Sequence, residues 1–261
     1  MTDWLALCRA AVDDVCGVLL ELPGRSEREP VVGRGMGGDE TTAIDAAAEG
    51  VILARFAGLD ATIVSEEAGV RGDGKTYVVV DPIDGSLNAK RGIGFFSVSI
   101  AVASGPTMGD VDFGFVHDFG TGEEWTATRG DGARLNGAPL EGQLPKDEIE
   151  ILSFEATRTA AVAEQAAAVV DLAYRLRIMG SLALSLCHLA AGRVDAVCSL
   201  KPARAVDIAA AQLLVRERGL AIDLFDAPPF GAAPLDLEGR SRVVAAGTPE
   251  LCRKLASALS A

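Results

Sequence analysis

Apolar and polar positions change period along the chain, and the changes mark its elements. Trp4, Leu7, Ala11, Val15, Val18 and Leu22 recur at helical spacing, predicting an amphipathic first helix that Pro23-Gly24 ends. Residues 25–40 are polar and carry Gly33, Gly35, Gly37 and Gly38, so this stretch reads as a mobile loop. Helical spacing resumes after Thr41-Thr42-Ala43-Ile44-Asp45, with Ala48, Ile52 and Phe56 on one face. Residues 61–64 form a short apolar strand running into Ser65-Glu66-Glu67, and Val78 to Val80 read as a strand buried on both faces. Residues 97–104, 111–118 and 123–129 have strand composition between Gly, Pro and Thr-Gly turns, which predicts an antiparallel meander.

Beyond Leu144-Pro145-Lys146 the pattern alternates. Strands are expected at 149–154, 175–179, 194–200, 220–222 and 243–246, and helices at 158–172, 181–190, 205–218 and from Thr248-Pro249 onward. Such alternation means α/β layering. The expectation is therefore an α+β half over residues 1–146 packed on an α/β half over residues 147–261.

Composition narrows the picture little. At 261 residues the chain is long enough for a substantial core, and 49% hydrophobic with 23% charged residues is ordinary globular chemistry. A net charge of −13 disfavours nucleic acid as a partner, no apolar run approaches bilayer length, and no signal pattern opens the chain, so a cytoplasmic protein without membrane association is expected. Cys8, Cys16, Cys187, Cys198 and Cys252 are widely spaced and odd in number, which reads as buried thiols rather than disulfides or a zinc site.

Candidate chemistry concentrates at Tyr77 to Asn88, Y-V-V-V-D-P-I-D-G-S-L-N. Pro82 breaks the strand ladder, and with Gly85 it lets the chain reverse so that Asp81 and Asp84 face one volume. By itself D-P-I-D-G is an ordinary type I turn. Its company changes the reading. Ser65-Glu66-Glu67 ends a strand upstream, and Val206-Asp207-Ile208-Ala209-Ala210-Ala211 opens a helix far downstream.

The Glu-Glu pair, then D-P-I-D-G-[ST]-x-N, then a late D-x-A-A resemble the inositol monophosphatase family, and R-G-D-G-A-R-L-N-G (129–137) and G-S-L-A-L-S-L-C (180–187) extend the likeness over nearly the whole chain. The resemblance implies a layered αβαβα sandwich, a homodimer, and a phosphomonoesterase using two or three Mg²⁺ per active site. It implies metal ligands Glu66, Asp81, Asp84, Asp207 and the Ile83 carbonyl; Glu66 also activates water, with Glu67 behind it. Asp45 is expected to hydrogen-bond the Ser86 hydroxyl and orient the attacking water, while Gly85 and Ser86 hold the phosphoryl group. The loop at residues 25–40 is expected to cover the metal site. An all-oxygen donor set suits Mg²⁺ and argues against zinc.

Substrate choice is less sharply marked. Leu200 stands where inositol-selective relatives carry a glutamate seven residues before the late aspartate. Lys201 and Arg204, with Arg175 and Arg177, are candidates to receive a second phosphate or a sugar's distal end, alongside Gly180 and Ser181. With G-S-L-N-A-K-R-G-I the pattern looks closest to archaeal-type enzymes that accept fructose 1,6-bisphosphate and inositol monophosphate. A 3′-phosphoadenosine 5′-phosphate 3′-phosphatase is the second reading, and a regulatory binding partner with vestigial activity is a third.

Overall fold

Asp3 begins the first helix by accepting at Oδ1 from the Ala6 amide at 3.0 Å, and α1 (Trp4–Glu21) buries Cys8, Ala11, Val12, Val15 and Val18, largely the stripe its spacing predicts. The structure is a computed structural model that describes residues 2–260 apart from 37, 143, 147, 156, 157 and 228; Gly37 of the expected loop and Asp147, first residue of the expected second half, lie outside it. The stretch read as a loop is instead ordered into α2 (Arg25–Arg28), β1 (Val31–Arg34) and β2 (Glu40–Thr42), the two strands forming an antiparallel hairpin with Arg34 opposite Glu40. All four residues of β1 are exposed, so this hairpin leaves no alternating hydrophobic signal.

After α3 (Ala43–Phe56) come β3 (Ala61–Ser65), β4 (Gly69–Arg71), β5 (Thr76–Asp84), the short α4 (Ser86–Arg91), β6 (Ser97–Ala103), β7 (Val111–Asp118), β8 (Glu124–Thr128), β9 (Gly132–Leu135) and β10 (Ala138–Pro139). Their strands make an eight-stranded sheet in the order β10-β9-β8-β7-β6-β5-β3-β4. The expected meander is β6 to β8, and the antiparallel run extends beyond it to β5 on one side and β9 on the other, whereas β3 lies parallel to β5.

The chain continues through β11 (Ile149–Glu155), α5 (Thr159–Ala166), β12 (Ala173–Arg177), α6 (Leu182–Ala190), β13 (Ala196–Ser199), α7 (Ala205–Glu217), β14 (Ala221–Leu224), β15 (Val243–Ala246) and α8 (Pro249–Ala258). These five strands form a second sheet, ordered β12-β11-β13-β15-β14. The helix expected at 158–172 is shorter, giving way to a 3₁₀ turn at Ala167–Val169.

Period-two alternation on β5 decides the layers. Val78 and Val80 face α1 and α3, packing with Ile44, Ile52 and Phe56, while Val79 faces the opposite side, where α6 and α7 lie between the sheets with Leu186, Ile208, Leu214, Val197 and Ala245. Phe154, Cys198 and Val244 of the second sheet pack with Leu255 and Val162 of α8 and α5. The result is an αβαβα sandwich. Helix α7 rests so closely on β7 that a Cβ at Gly114 would meet the Ala210 carbonyl oxygen at 2.5 Å. The five thiols are free, four of them buried and Cys16 exposed. Among the described residues no helix is long and apolar enough to cross a membrane.

Candidate active site

Two parallel neighbours bring the first carboxylates together. Ser65 at the end of β3 is paired with Val80 of β5, so Glu66, just past the end of β3, lies beside Asp81, which is still on β5. The pairing of β5 with β6 is irregular between Asp81, opposite Ser99, and Asp84, opposite Ser97: one strand spends an extra residue there, the mark of a bulge that re-aims side chains. Asp81 Oδ1 accepts from the Ile83 amide at 3.1 Å. Gly85 then turns the chain at φ +92°, where a Cβ would meet the carbonyl oxygens of Phe95 and Gly180 at 3.0 and 3.1 Å.

The later parts of the chain close the site. Asp207, in the first turn of α7, accepts at Oδ2 from the Arg204 amide at 2.6 Å. Ser181, which caps α6, donates its hydroxyl to Asp84 Oδ2 at 2.5 Å, and the Ala183 amide donates to the same oxygen at 2.8 Å. Glu66, Asp81, Asp84 and Asp207 line one cleft of about 300 Å³ with Asp45, Ile83, Ser86 and Lys201.

Electrostatics in this cleft run against ionisation. Burial raises the Glu66 carboxyl to about 7, with Arg204 opposing and Asp207 adding to the rise. Burial likewise takes Asp84 up to about 7 against its bond from Ser181, and pushes Asp81 well above the carboxylate range with help from Glu66, Asp84 and Asp207. The guanidinium of Arg204 is 4% exposed and reaches Glu66 and, at 3.1 Å, Asp207. Burial alone would lower its pKa; Asp207 and Glu66 outweigh that and hold it above the ordinary value.

Several sequence expectations land elsewhere. The Asp45–Ser86 bond is not formed: Asp45 Oδ2 accepts from the amide and hydroxyl of Thr42 in a helix-capping box, and Ser86 Oγ donates to the Ile83 carbonyl at 2.9 Å. Asp45 Oδ1 is buried without a partner, and both residues do face the cleft. Arg175 and Arg177 stand on β12, the edge of the second sheet, outside the cleft lining; Arg175 pairs with Glu150 at 3.4 Å and Arg177 donates to the Leu176 carbonyl. Arg204 is engaged by the acidic cluster rather than held out for a ligand. Ser181 is fully buried and spent on Asp84, whereas Gly85, Gly180 and Lys201 do line the cleft.

Sequence reasoning missed Glu155, Asp39 and Lys90, which also line it. Glu155 ends β11 as a 7% exposed carboxylate that accepts from Ser153, Ser185 and Gly180. Its position at a strand end, like that of Glu66, was the available signal.

The donor chemistry fits a hard divalent cation: four carboxylates and a backbone carbonyl, no thiolate or imidazole, and carboxyl groups whose burial favours neutralisation by a positive charge. Among the described residues no three Asp, Glu, His or Cys side chains are drawn tightly enough to enclose an ion as they stand. A guanidinium bridges Glu66 and Asp207 instead, filling the electrostatic place of a cation.

Comparison with known proteins gives the family. The model of the inositol monophosphatase family matches residues 10–261. The chain is 32% identical to a fructose-1,6-bisphosphatase/inositol-1-monophosphatase of Methanothermobacter thermautotrophicus, covering 98% of this chain and 96% of that protein. It is 38% identical to the Nus factor SuhB of Pasteurella multocida over 69% of this chain and 70% of the relative. A solved inositol monophosphatase–fructose 1,6-bisphosphatase superposes with a TM-score of 0.86 at 28% identity, covering 99% of this chain and 100% of the other.

Proposed function

The chain belongs to the inositol monophosphatase family and is a phosphomonoester-hydrolysing phosphatase of that type; from that premise we propose that it cleaves small sugar or polyol phosphates, fructose 1,6-bisphosphate and inositol monophosphate, in a Mg²⁺-dependent reaction. The observation that carries the proposal is the convergence of Glu66, Asp81, Asp84 and Asp207 on one cleft, where burial makes Glu66, Asp81 and Asp84 reluctant to ionise alone. Those side chains and the Ile83 carbonyl would hold two or three Mg²⁺. When bound, the ions supply charge stabilisation for the phosphoryl oxygens and a nucleophile of lowered pKa.

The chain's own groups divide the remaining work. Glu66, which lines the cleft at the end of β3, accepts a proton from the attacking water. Ser86 Oγ, held 2.9 Å from the Ile83 carbonyl, and the vacant acceptor of Asp45 orient that water from the side of β5 and α3. The backbone at Gly85 and Ser86 positions the phosphoryl group, since the first amides of α4 lack carbonyl partners within the helix. Lys90 and Lys201, on the cleft wall, attract the charge of the ester and of any second phosphate. Hydrolysis in this arrangement needs no phosphoenzyme. Leu200, lacking a hydroxyl-binding carboxylate, supports tolerance of both sugar and inositol esters.

Identity to Nus factor SuhB supports a second reading, in which the fold serves a binding or regulatory role beside a weak phosphatase. A homodimer in the cytoplasm with no membrane or nucleic-acid contact completes the proposal; the net charge of −13 supports the last point. The test is phosphate release from fructose 1,6-bisphosphate, inositol 1-phosphate and 3′-phosphoadenosine 5′-phosphate, each with Mg²⁺ and with chelator. Mg²⁺-dependent turnover of the first two is the expected result. Preference for the nucleotide would overturn the substrate assignment, and silence on all three would favour the binding role.

A further inference from the structure

Among the described residues lining the cleft, Arg204 is the arginine, and it sits in an unusual place. It precedes α7 by one residue, 4% exposed, with Nη2 donating to Glu66 Oε1 and to Asp207 Oδ1 at 3.1 Å. Its Nη1 is buried without a hydrogen-bond partner, 3.8 Å from Asp39 Oδ2 in the turn of the β1–β2 hairpin. A guanidinium that deep usually uses its full fork of donors. Here one nitrogen is left over, while the other is committed to two carboxylates that the metal-dependent reading gives to a divalent ion.

A guanidinium and a divalent cation drawn to the same two carboxylates compete for their oxygens and repel each other at contact distance. We infer that Arg204 is the resident counter-ion of this cluster: it holds Glu66 and Asp207 in place when no divalent ion is bound, and must release them for one to bind. The inference rests on the metal-dependent reading of the site. Asp39, ion-paired with Nη1 at 3.8 Å and also 4.0 Å from Lys201 Nζ, offers the displaced guanidinium an acceptor without a large movement. Metal loading would thus transfer a charge partner from the acidic cluster to the hairpin turn. Arg204 acts through Glu66 and Asp207, and is a positioning residue.

The experiment measures Mg²⁺ binding by calorimetry on the full chain after chelation and dialysis, together with thermal unfolding in chelator, for the natural protein, Arg204→Met and Arg204→Lys. Removing the competitor at similar bulk is expected to tighten Mg²⁺ about tenfold or more, because charge-assisted bonds no longer have to be broken. The same substitution lowers the unfolding temperature in chelator and enlarges the rise that Mg²⁺ produces; Arg204→Lys falls between. Equal or weaker Mg²⁺ binding by Arg204→Met, with normal binding by the natural protein, overturns the counter-ion role and leaves the metal-dependent reading intact. Binding by the variant alone supports the role, and binding by neither removes both. Should Arg204→Met be unfolded in chelator, recovery of its circular dichroism on adding Mg²⁺ supports the inference; no recovery at concentrations that saturate the natural protein overturns it.

Discussion

The hydroxyl of Ser181 donates to Asp84 Oδ2 at 2.5 Å, tying the first turn of α6 to the end of β5. The same oxygen atom of Ser181 accepts from the Leu184 amide at 3.2 Å, so one side chain both caps a helix and steadies a carboxylate in the cleft. Ser181→Ala removes both bonds in a fully buried setting. The expected cost is about 2–3 kcal/mol, from a lost N-cap and a lost bond to a buried carboxyl. Urea unfolding measures it. Because the hydroxyl favours the ionised form, Asp84 in the variant should also titrate at higher pH, moving the acidic limb of the activity profile upward.

Stability of the metal-free protein should fall as pH rises, opposite to the usual behaviour of paired carboxylates. Glu66 and Asp84 ionise near 4.5 and 3.8 when exposed but only at about 7 in the fold, so between those values the folded chain binds more protons than the unfolded one. Each group then subtracts about 1.4 kcal/mol per pH unit across that window. Asp81, also raised, carries the decline further. Unfolding in chelator at pH 5, 6, 7 and 8 should show the downward slope, and Asp84→Asn should make it shallower between pH 5 and 7. A flat or rising curve would contradict the electrostatic account of the cleft.

What the sequence made legible was the chemistry written into local runs. Val78 to Val80 followed by Asp81 and Asp84 announced a buried strand with acids at its tip, and apolar periodicity placed α1, α3, α6 and α7 to within a few residues. What stayed hidden depends on partners far away in the chain. The β1–β2 hairpin is held by main-chain pairing with every side chain of β1 exposed, so no periodicity betrays it. Arg175 and Arg177 do alternate to one side, but their strand is an edge outside the cleft, where Arg175 meets Glu150 and Tyr174 and Arg177 the Leu176 carbonyl. The capping role of Asp45 was readable in Thr42-Ala43-Ile44-Asp45, a pattern that competes with the expected bond to Ser86. Nothing local to Arg204 says that its guanidinium turns inward to Glu66, which lies 138 residues away in sequence.

Two glycines should respond to alanine with opposite sign. At Gly114 a Cβ would stand 2.5 Å from the carbonyl oxygen of Ala210, so α7 must move off β7 or the strand must bend. Overpacking against backbone costs about 2–3 kcal/mol, and because α7 carries Asp207, phosphatase activity should drop with stability. Gly17 lies within α1, where a Cβ would meet nothing within 4 Å. Gly17→Ala should stabilise by about 0.5–1 kcal/mol through helix propensity and leave activity unchanged. Thermal unfolding of the pair separates a packing constraint from a merely permissive glycine.

Glu155 offers the sharpest test of how the cleft is held open toward substrate. Its Oε1 accepts from Ser153 Oγ at 2.9 Å and Ser185 Oγ at 2.8 Å, and its Oε2 from the Gly180 amide at 2.8 Å, so three segments converge on one buried carboxylate. Glutamine keeps the shape: its carbonyl can accept from Gly180, and the two hydroxyls can rotate to accept from its amide. Glu155→Gln should therefore stay within about 1 kcal/mol of the natural protein, and removing a negative charge that raises Asp84 should lower that carboxyl's pKa. Alanine keeps none of these contacts and strands the Gly180 amide, at a cost of about 2–3 kcal/mol. Since Gly180 leads directly to Ser181 and its bond to Asp84, Glu155→Ala should also raise KM for the phosphate ester, whereas Glu155→Gln should not. Equal behaviour of the two variants in urea unfolding and in KM would mean that the converging hydrogen bonds do not shape the cleft.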